Sequence, residues 1–225
     1  MQRAWHRTSM MNMFRAGKPL LFIPVLAMGL VILISNKLVQ HPVQGFVLGI
    51  DLSAILTWGA FTYPVAFLVT DTTNRIFGVQ PARRVVAVGF AFGVGLTLLA
   101  ALSIAGAVSQ QSSLSVWQAL FDDPDALAML RTAVASGTAF FLSQLLDIKI
   151  FDALRQKVWW KAPTASSFIG SMVDTLIFFS LAFAGTGLPW ASWAAGDFCA
   201  KLIMIALLLY PFRLMVRFYP VTALR

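Results

Sequence analysis

Apolar residues run along this chain in six long stretches, separated by short segments that are richer in polar residues. The stretches cover approximately residues 19–35, 52–70, 85–108, 129–146, 165–184 and 191–215. A helix needs about 20 predominantly apolar residues to cross the hydrocarbon core of a bilayer. The pattern therefore predicts an all-α membrane protein with six transmembrane helices.

Basic residues between the stretches fall mainly on one side of the predicted membrane. Fourteen of the 17 Lys and Arg residues lie there: Arg3, Arg7, Arg15, Lys18, Arg75, Arg83, Arg84, Lys149, Arg155, Lys157, Lys161, Arg213, Arg217 and Arg225. Of the other three, Lys37 is expected in a loop on the opposite side, Arg131 at a helix start and Lys201 within the sixth stretch. Because positive residues accumulate in cytoplasmic segments, both the N and C termini are predicted to be cytoplasmic.

Composition agrees with a membrane protein and leaves room for one domain. Hydrophobic residues make up 59% of the chain and charged residues 12%, about half the charged fraction of a soluble domain. We expect a basic cytoplasmic tail at 1–18, a six-helix transmembrane domain at 19–217 and a cytoplasmic tail at 218–225. The net charge of +8 lies beside apolar segments, which favours contact with the bilayer over binding of nucleic acid.

Two features of the apolar stretches concern packing. Pro64 interrupts the second stretch, which predicts a kink there. Gly89 and Gly93 form a pair of small residues one turn apart in the third, so this helix is expected to pack closely on a neighbour.

Ionisable residues occur inside the stretches, where a charge at the helix centre costs about 2.5–3.5 kcal/mol. Asp174 lies close to the middle of the fifth stretch, on the same helical face as Ser167 and Ser171. In the sixth stretch, Asp197 precedes Lys201 by one turn, the favourable order for an ion pair on a helix. Lys201 is also deep enough to serve as the counter-charge of Asp174.

Two further stretches carry polar stripes. Gln144 and Asp147 lie three residues apart in the fourth. Asp71, Asn74 and Arg75 share a face if the second helix continues beyond the membrane edge, with Gly78 as its expected end. We expect the four stripes to converge in a polar pocket within an apolar shell.

Polar residues in a membrane also act as links between helices, worth about 0.6 kcal/mol each, so a ligand is not their only explanation. A ligand site is the favoured interpretation for Asp174, since a carboxylate at the midplane is an expensive link. For Asp197 and Lys201 a structural and a functional ion pair remain equally open. The single Cys199 excludes an intrachain disulfide, and no His/Cys cluster predicts a metal or other cofactor.

An enzyme is disfavoured by the same residues. His6 and His41 lie outside the spans, so no serine–histidine pair can form within them. Asp174 and Asp197 lack the Gly-x-Gly-Asp pattern that an intramembrane aspartyl hydrolase would show. No filter motif of a channel is visible. A transporter, which needs convergent polar groups near the midplane, fits best.

Several motifs in order resemble one known family. The segments "DTTNRIFG" with "ARRVV", "SQLLDIKIFDALRQ", "WWKAPTASS" and "SMVDTLIFF" are similar to the queuosine precursor transporters of the vitamin-uptake type, over about residues 50–215. The resemblance implies a bacterial inner-membrane importer of 7-deazaguanine compounds, the precursors used in tRNA modification. It implies family-like polar positions at Asp71, Asn74, Arg75, Gln144, Asp147 and Asp174, with Asp197 and Lys201 as additional candidates.

Alternatives remain open at this stage. The chain is expected to bind a small-molecule substrate, yet that substrate could be another small heterocycle. It could also be the substrate-capture subunit of a larger importer driven by a separate ATPase, because no Gly-x-x-x-x-Gly-Lys-Ser/Thr loop is present. A homo-oligomer is compatible with the pattern, and a titrating Asp174 would suit proton coupling.

Overall fold

The computed structural model describes residues 21–38, 41–47, 49–111 and 115–217. Its helices are α1 (Phe22–Leu38), α2 (Gly59–Thr62), α3 (Pro64–Phe77), α4 (Val79–Gln111), α5 (Val116–Asp122), α6 (Pro124–Leu154), α7 (Lys161–Phe183) and α8 (Trp190–Val216). One short antiparallel hairpin pairs β1 (Phe46–Val47) with β2 (Ile50–Asp51), and a 3₁₀ turn follows at Leu52–Ala54. The all-α class is confirmed, while the predicted tails at 1–18 and 218–225 lie outside the described residues.

Four helices of the described ranges are long and apolar enough to cross a membrane. They are α4, α7, α8 and the Leu130–Leu154 part of α6. Helix α1 is apolar but has 17 residues in the described range. The expectation that Lys37 lies in a loop is wrong, since α1 continues through it to Leu38.

The second predicted stretch, 52–70, is not one continuous helix. Helix α2 ends at Thr62, and α3 begins again at Pro64, whose ring lacks the N–H that a helix interior would use. This confirms the predicted interruption at Pro64. Helix α3 then extends to Phe77 and ends at Gly78, whose φ of 90° is favourable for glycine alone. The predicted helix end at Gly78 is therefore also confirmed, and α4 starts at the next residue.

Helix α3 lies in the middle of the bundle, in contact with α4, α6, α7 and α8. Half of its residues are buried, and the buried set is largely polar beyond its midpoint: Thr70, Asp71, Thr73 and Asn74. Large apolar side chains instead point outward from the long helices, as Leu99, Leu176 and Leu207 do. Polar residues inside and apolar residues outside are the arrangement expected of a protein surrounded by lipid.

Close helix packing depends on glycine at several contacts. A Cβ added to Gly89 of α4 would lie 2.6 Å from Cγ of Met28 in α1, and one on Gly93 would lie 3.2 Å from Ile32. The predicted close packing at these two glycines is thus confirmed. Gly196 of α8 faces a more rigid neighbour, because its Cβ would lie 2.8 Å from the backbone oxygen of Ile55.

Basic side chains join the C-terminal ends of three helices at one end of the bundle. Arg75 of α3 donates to the backbone oxygen of Arg155 (2.9 Å), and Arg155, just past α6, donates back to the backbone oxygen of Asn74 (3.0 Å). Arg213 of α8 lies over the ring of Trp159, 4.8 Å from its centroid. Guanidinium groups at helix C-termini interact favourably with the partial negative charge of the carbonyl oxygens there.

We expect Gly196→Ala to lower the melting temperature of the protein in detergent. The new methyl group meets a backbone oxygen, which cannot rotate away as a side chain can, and overpacking of this kind costs about 1–3 kcal/mol. Gly95→Ala in α4 is the matched control, since nothing lies within 4 Å of its added Cβ. Equal melting temperatures for the two variants would contradict the close approach of α8 to Ile55.

Candidate functional site

A buried ammonium group joins α7 and α8. Nζ of Lys201 in α8 lies 2.8 Å from Oδ2 of Asp174 in α7 and 2.6 Å from Oδ2 of Asp197, one turn earlier in α8. The whole Lys201 residue is 4% exposed. The predicted pairing of Asp197 with Lys201, and the predicted counter-charge for Asp174, are both present in the structure.

Hydroxyl groups complete this ionic cluster, which we define as Asp174, Asp197 and Lys201. Thr175 donates to Oδ2 of Asp197 at 2.8 Å and accepts from Lys201 at 3.0 Å. Ser143 of α6 lies 3.4 Å from Oδ1 of Asp174, a long contact for a hydroxyl donor. The ionic cluster therefore ties α7 firmly to α8 and only loosely to α6.

Charge and exposure leave the ionic cluster able to accept a ligand. Two carboxylates and one ammonium carry one excess negative charge. The side chains of Asp174 and Asp197 keep 21% and 16% exposure, whereas that of Lys201 keeps 5%. Oδ1 of Asp174 has spare acceptor capacity, since a carboxylate oxygen can accept two hydrogen bonds and the contact with Ser143 is long.

A second polar cluster lies where α3, α6 and α7 meet. Ser166 and Ser167 of α7 lie 3.2 Å and 3.3 Å from the two carboxyl oxygens of Asp71 in α3. Asp147 of α6 lies against Asp71 and Ser166. We call Asp71 and Asp147 the carboxyl pair; they are 2% and 0% exposed.

Two amides link α3 to α6 beside the carboxyl pair. Oε1 of Gln144 accepts a hydrogen bond from Thr70 at 2.6 Å, and Nδ2 of Asn74 donates to the backbone oxygen of Ile148 at 3.1 Å. Both amide residues are fully buried. Gln144 and Asn74 thus fix the register of α3 against α6 and hold Asp71 opposite Asp147.

Seven of the eight predicted site residues belong to or adjoin these two clusters, and Arg75 does not. Its guanidinium contacts the backbone of Arg155 at the end of the bundle. The sequence predicted that the polar residues converge in one pocket, but the structure divides them between two separate clusters. Ser167 and Asp174 lie seven residues apart on α7, about 10 Å at 1.5 Å per residue, so the clusters are stacked along the helix.

A small cavity adjoins the carboxyl pair. It is lined by Asp71 and Ser167 together with apolar residues of α3, α7 and α8, and its volume is about 20 Å³. That is enough space for a single water molecule. A bicyclic ligand would need α7 and α8 to move away from α3 before it could occupy this position.

Aromatic rings lie one turn beyond the ionic cluster on α7. Phe178 follows Asp174 by four residues and packs against Phe179, with ring centroids 5.1 Å apart. Phe183 connects this group to Trp193 of α8 at 5.4 Å. A flat ligand held by Asp174 would therefore find ring faces on the same side of the helix. Trp58, just before α2, is 49% exposed and contacts Phe61.

Sequence reasoning missed several residues that hold the clusters. Thr175, Ser143 and Thr70 each lie next to a predicted site residue, yet hydroxyl residues are common in membrane helices and gave no separate signal. Tyr63 lies at the break between α2 and α3, within electrostatic reach of the ionic cluster. The position of Pro64 was the available indication that this residue borders the site.

Comparison with known proteins places the whole site within one family. The family described as "Putative vitamin uptake transporter" matches residues 57–216, a range that contains all eight predicted site residues. The chain is 39% identical to the queuosine precursor transporter of Escherichia coli (strain K12), covering 81% of this chain and 79% of that protein. It is 38% identical to a probable queuosine precursor transporter of Haemophilus influenzae, covering 72% of this chain and 68% of that protein. No solved structure gives a significant match.

We expect Lys201→Met to destabilise the protein strongly. The variant leaves two carboxylates in the bundle without their cation, and loss of one partner of a buried ion pair costs about 3–5 kcal/mol. The measurement is the melting temperature of purified protein in detergent. Lys161→Met is the control, because Lys161 is exposed at the start of α7. Restoration of part of the loss by Asp197→Asn in the Lys201→Met background would confirm that unpaired charge is the cause. If Lys201→Met has the same melting temperature as Lys161→Met, the ionic cluster does not stabilise the fold.

Proposed function

This chain belongs to the vitamin uptake transporter family, and from that premise we propose that it imports queuosine precursors across the bacterial inner membrane. One relative is named a queuosine precursor transporter and the other a probable one, and each is similar to this chain over most of its own length. In this proposal the substrate is a 7-deazaguanine compound, and the protein works as a carrier rather than as an enzyme.

The partly exposed carboxylate of Asp174 is the observation that carries the proposal. A guanine-like edge presents a ring N–H and an exocyclic amine, which one carboxylate can accept together. Asp174 is partly exposed in an otherwise apolar bundle, and its Oδ1 has spare acceptor capacity. By contrast, both residues of the carboxyl pair are almost completely buried.

Neighbouring residues supply the other contacts that such a ligand needs. The hydroxyl of Ser143 lies at Oδ1 of Asp174 and can turn to a ring carbonyl. Phe178, one turn further along α7, offers a ring face for stacking. A cationic aminomethyl group would be attracted by the excess negative charge of the ionic cluster. Gln144 and Asn74, which the resemblance also implies, act by holding α3 against α6 rather than by touching the ligand.

The proposed topology has six spans with both termini in the cytoplasm. The four long apolar helices supply four spans, α1 the first, and the interrupted α2–α3 unit the second. Support comes from the basic end of the bundle, where Arg75, Arg155 and Arg213 lie together at the ends of α3, α6 and α8. The positive-inside rule assigns that end to the cytoplasm.

We expect Asp174→Asn to reduce precursor uptake about 10- to 100-fold. The substitution removes the charge from an acceptor whose hydrogen bonds to a ligand are worth about 1.5–3 kcal/mol in total. Uptake is measured in cells that lack their own transporter and cannot synthesise the precursor, with queuosine in tRNA as the readout.

The matched control is Asp152→Asn, which changes an exposed carboxylate in an i,i+3 ion pair with Arg155. Such a surface pair contributes little, so uptake should stay at the wild-type level. Protein amounts in the membrane are matched for all variants. Wild-type uptake by Asp174→Asn would exclude this residue from the binding site.

The topology can be tested with single cysteines in a Cys199→Ser background. Trp117 of α5 and Val158 between α6 and α7 are both well exposed. In intact spheroplasts, a membrane-impermeant maleimide should label Trp117→Cys, while Val158→Cys should react after permeabilisation alone. The reverse labelling pattern would invert the proposed orientation, and labelling of both in intact spheroplasts would contradict the single span, α6, that separates them in the proposed topology.

A further inference from the structure

The carboxyl pair brings together two groups that accept hydrogen bonds and, when ionised, donate none. The hydrogen bonds of Thr70 with Gln144 and of Asn74 with the backbone of Ile148 flank Asp71 and Asp147 and place the two buried carboxyl groups on facing helices. Neither oxygen of Asp147 has a hydrogen-bond donor among the described residues, although the side chain is completely buried. Two ionised carboxylates cannot bond to one another, so the contact is satisfied when a proton lies between them.

No cation compensates the carboxyl pair within the described part of the chain. Salt bridges there involve Arg155 with Asp152 and Lys201 with Asp174 and Asp197, and none reaches Asp71 or Asp147. Arg75 of α3 is held by the backbone of Arg155, and Arg213 of α8 lies over Trp159. The remaining basic residues of the packed helices are exposed: Arg83 and Arg84 of α4, Arg131 and Lys149 of α6 and Lys161 of α7.

The two clusters differ in how the negative charge of their carboxylates is compensated. The ionic cluster has its own ammonium, which offsets one of its two carboxylates. The carboxyl pair has two serine hydroxyls, and both of these are directed at Asp71. Leaving two unpaired negative charges in this position would carry a desolvation cost of several kcal/mol per ion. One bound proton removes one charge and supplies the missing hydrogen bond.

We propose that the carboxyl pair is a proton-binding site that couples precursor import to an inward proton gradient. The inference rests on the proposed transport function and moves the coupling role from Asp174, where the sequence suggested it, to Asp71 and Asp147. With the proton bound, the pair holds α3, α6 and α7 together. Release of the proton to water leaves two facing negative charges, which push α3 away from α6.

The small cavity provides space for one water molecule beside the pair. It is lined by Asp71 and Ser167 and holds about one water molecule. A water at this position can take the proton from Asp71 or return it. The three helices joined by the pair also include α7, which carries Asp174 about 10 Å away, so separation of the helices at one cluster changes the geometry at the other.

The transport test uses purified protein in liposomes with the membrane potential clamped at zero by a potassium ionophore. A radiolabelled, uncharged precursor is supplied outside, and its accumulation is compared with and without an acidic exterior. With one proton carried per substrate, a gradient of one pH unit should raise the accumulation ratio about tenfold. For Asp147→Asn, whatever movement remains should reach the same ratio with and without the gradient.

Asp152→Asn, on the same helix and exposed, should respond to the gradient as the wild type does. Wild-type protein that equilibrates the precursor but ignores the gradient would overturn proton coupling and leave the proposed transport function intact. Wild-type protein that moves no precursor would instead count against independent transport by this chain, and with it against the inference.

A second measurement detects the proton directly and needs no transport. Infrared spectra of the protein in lipid at neutral pH should contain a carbonyl band of a protonated carboxyl group. The band should disappear in Asp71→Asn and in Asp147→Asn, and remain in Asp152→Asn and Asp174→Asn. Absence of the band from wild-type protein would refute the shared proton, whatever the transport assay gives.

Discussion

The ammonium group of Lys201 lies between carboxylates of α7 and α8, and the polar interior is organised around it. Because Asp174 and Asp197 both use the same cation, neither carboxylate is fully neutralised, and one oxygen of Asp174 retains acceptor capacity. Thr175 fixes the geometry by contacting Asp197 and Lys201 at once. A single cation in this position supports the fold and leaves the cluster negative enough to attract a ligand.

The interior offsets the desolvation free energy of buried carboxyl groups in two different ways. In the ionic cluster, a cation offsets the charge and the carboxylates keep partial exposure. In the carboxyl pair, the side chains are fully buried and hydroxyl groups are the available donors. The difference matters for the proposed function, since a cation compensates the carboxylates in the first arrangement and none of the described basic residues does so in the second. In our proposal, substrate recognition belongs to the ionic cluster and proton coupling to the carboxyl pair.

The sequence was sufficient to predict an interaction where it joins neighbouring residues of one helix, or where it involves a charge with a high free-energy cost in the membrane. The four-residue spacing of Asp197 and Lys201 predicted their ion pair, and the cost of a midplane charge identified Asp174. The small residues at Gly89 and Gly93 predicted close packing in the same way. The contact of Asp71 with Asp147 depends on the register of α3 against α6, which Gln144 and Asn74 set through partners 74 residues away. No spacing along one helix contains that information.

Hydropathy alone also concealed a change of composition within the second stretch. It read 52–70 as one apolar stretch, whereas Pro64 begins a new helix whose buried face is polar from Thr70 onward. The average over the stretch concealed this change, and the polar half was assigned to the membrane edge. The helix with the least uniform composition is in fact the central one.

Gly78 alone connects α3 to α4, and this limits how the central helix can be displaced. One residue contributes two soft backbone torsions, so the joint permits rotation about a point and almost no sliding. Helix α3 therefore cannot shift along its own axis without carrying the first turn of α4 with it. Its independent degrees of freedom are angular, and the arc it sweeps is widest at the Pro64 end, next to the ionic cluster.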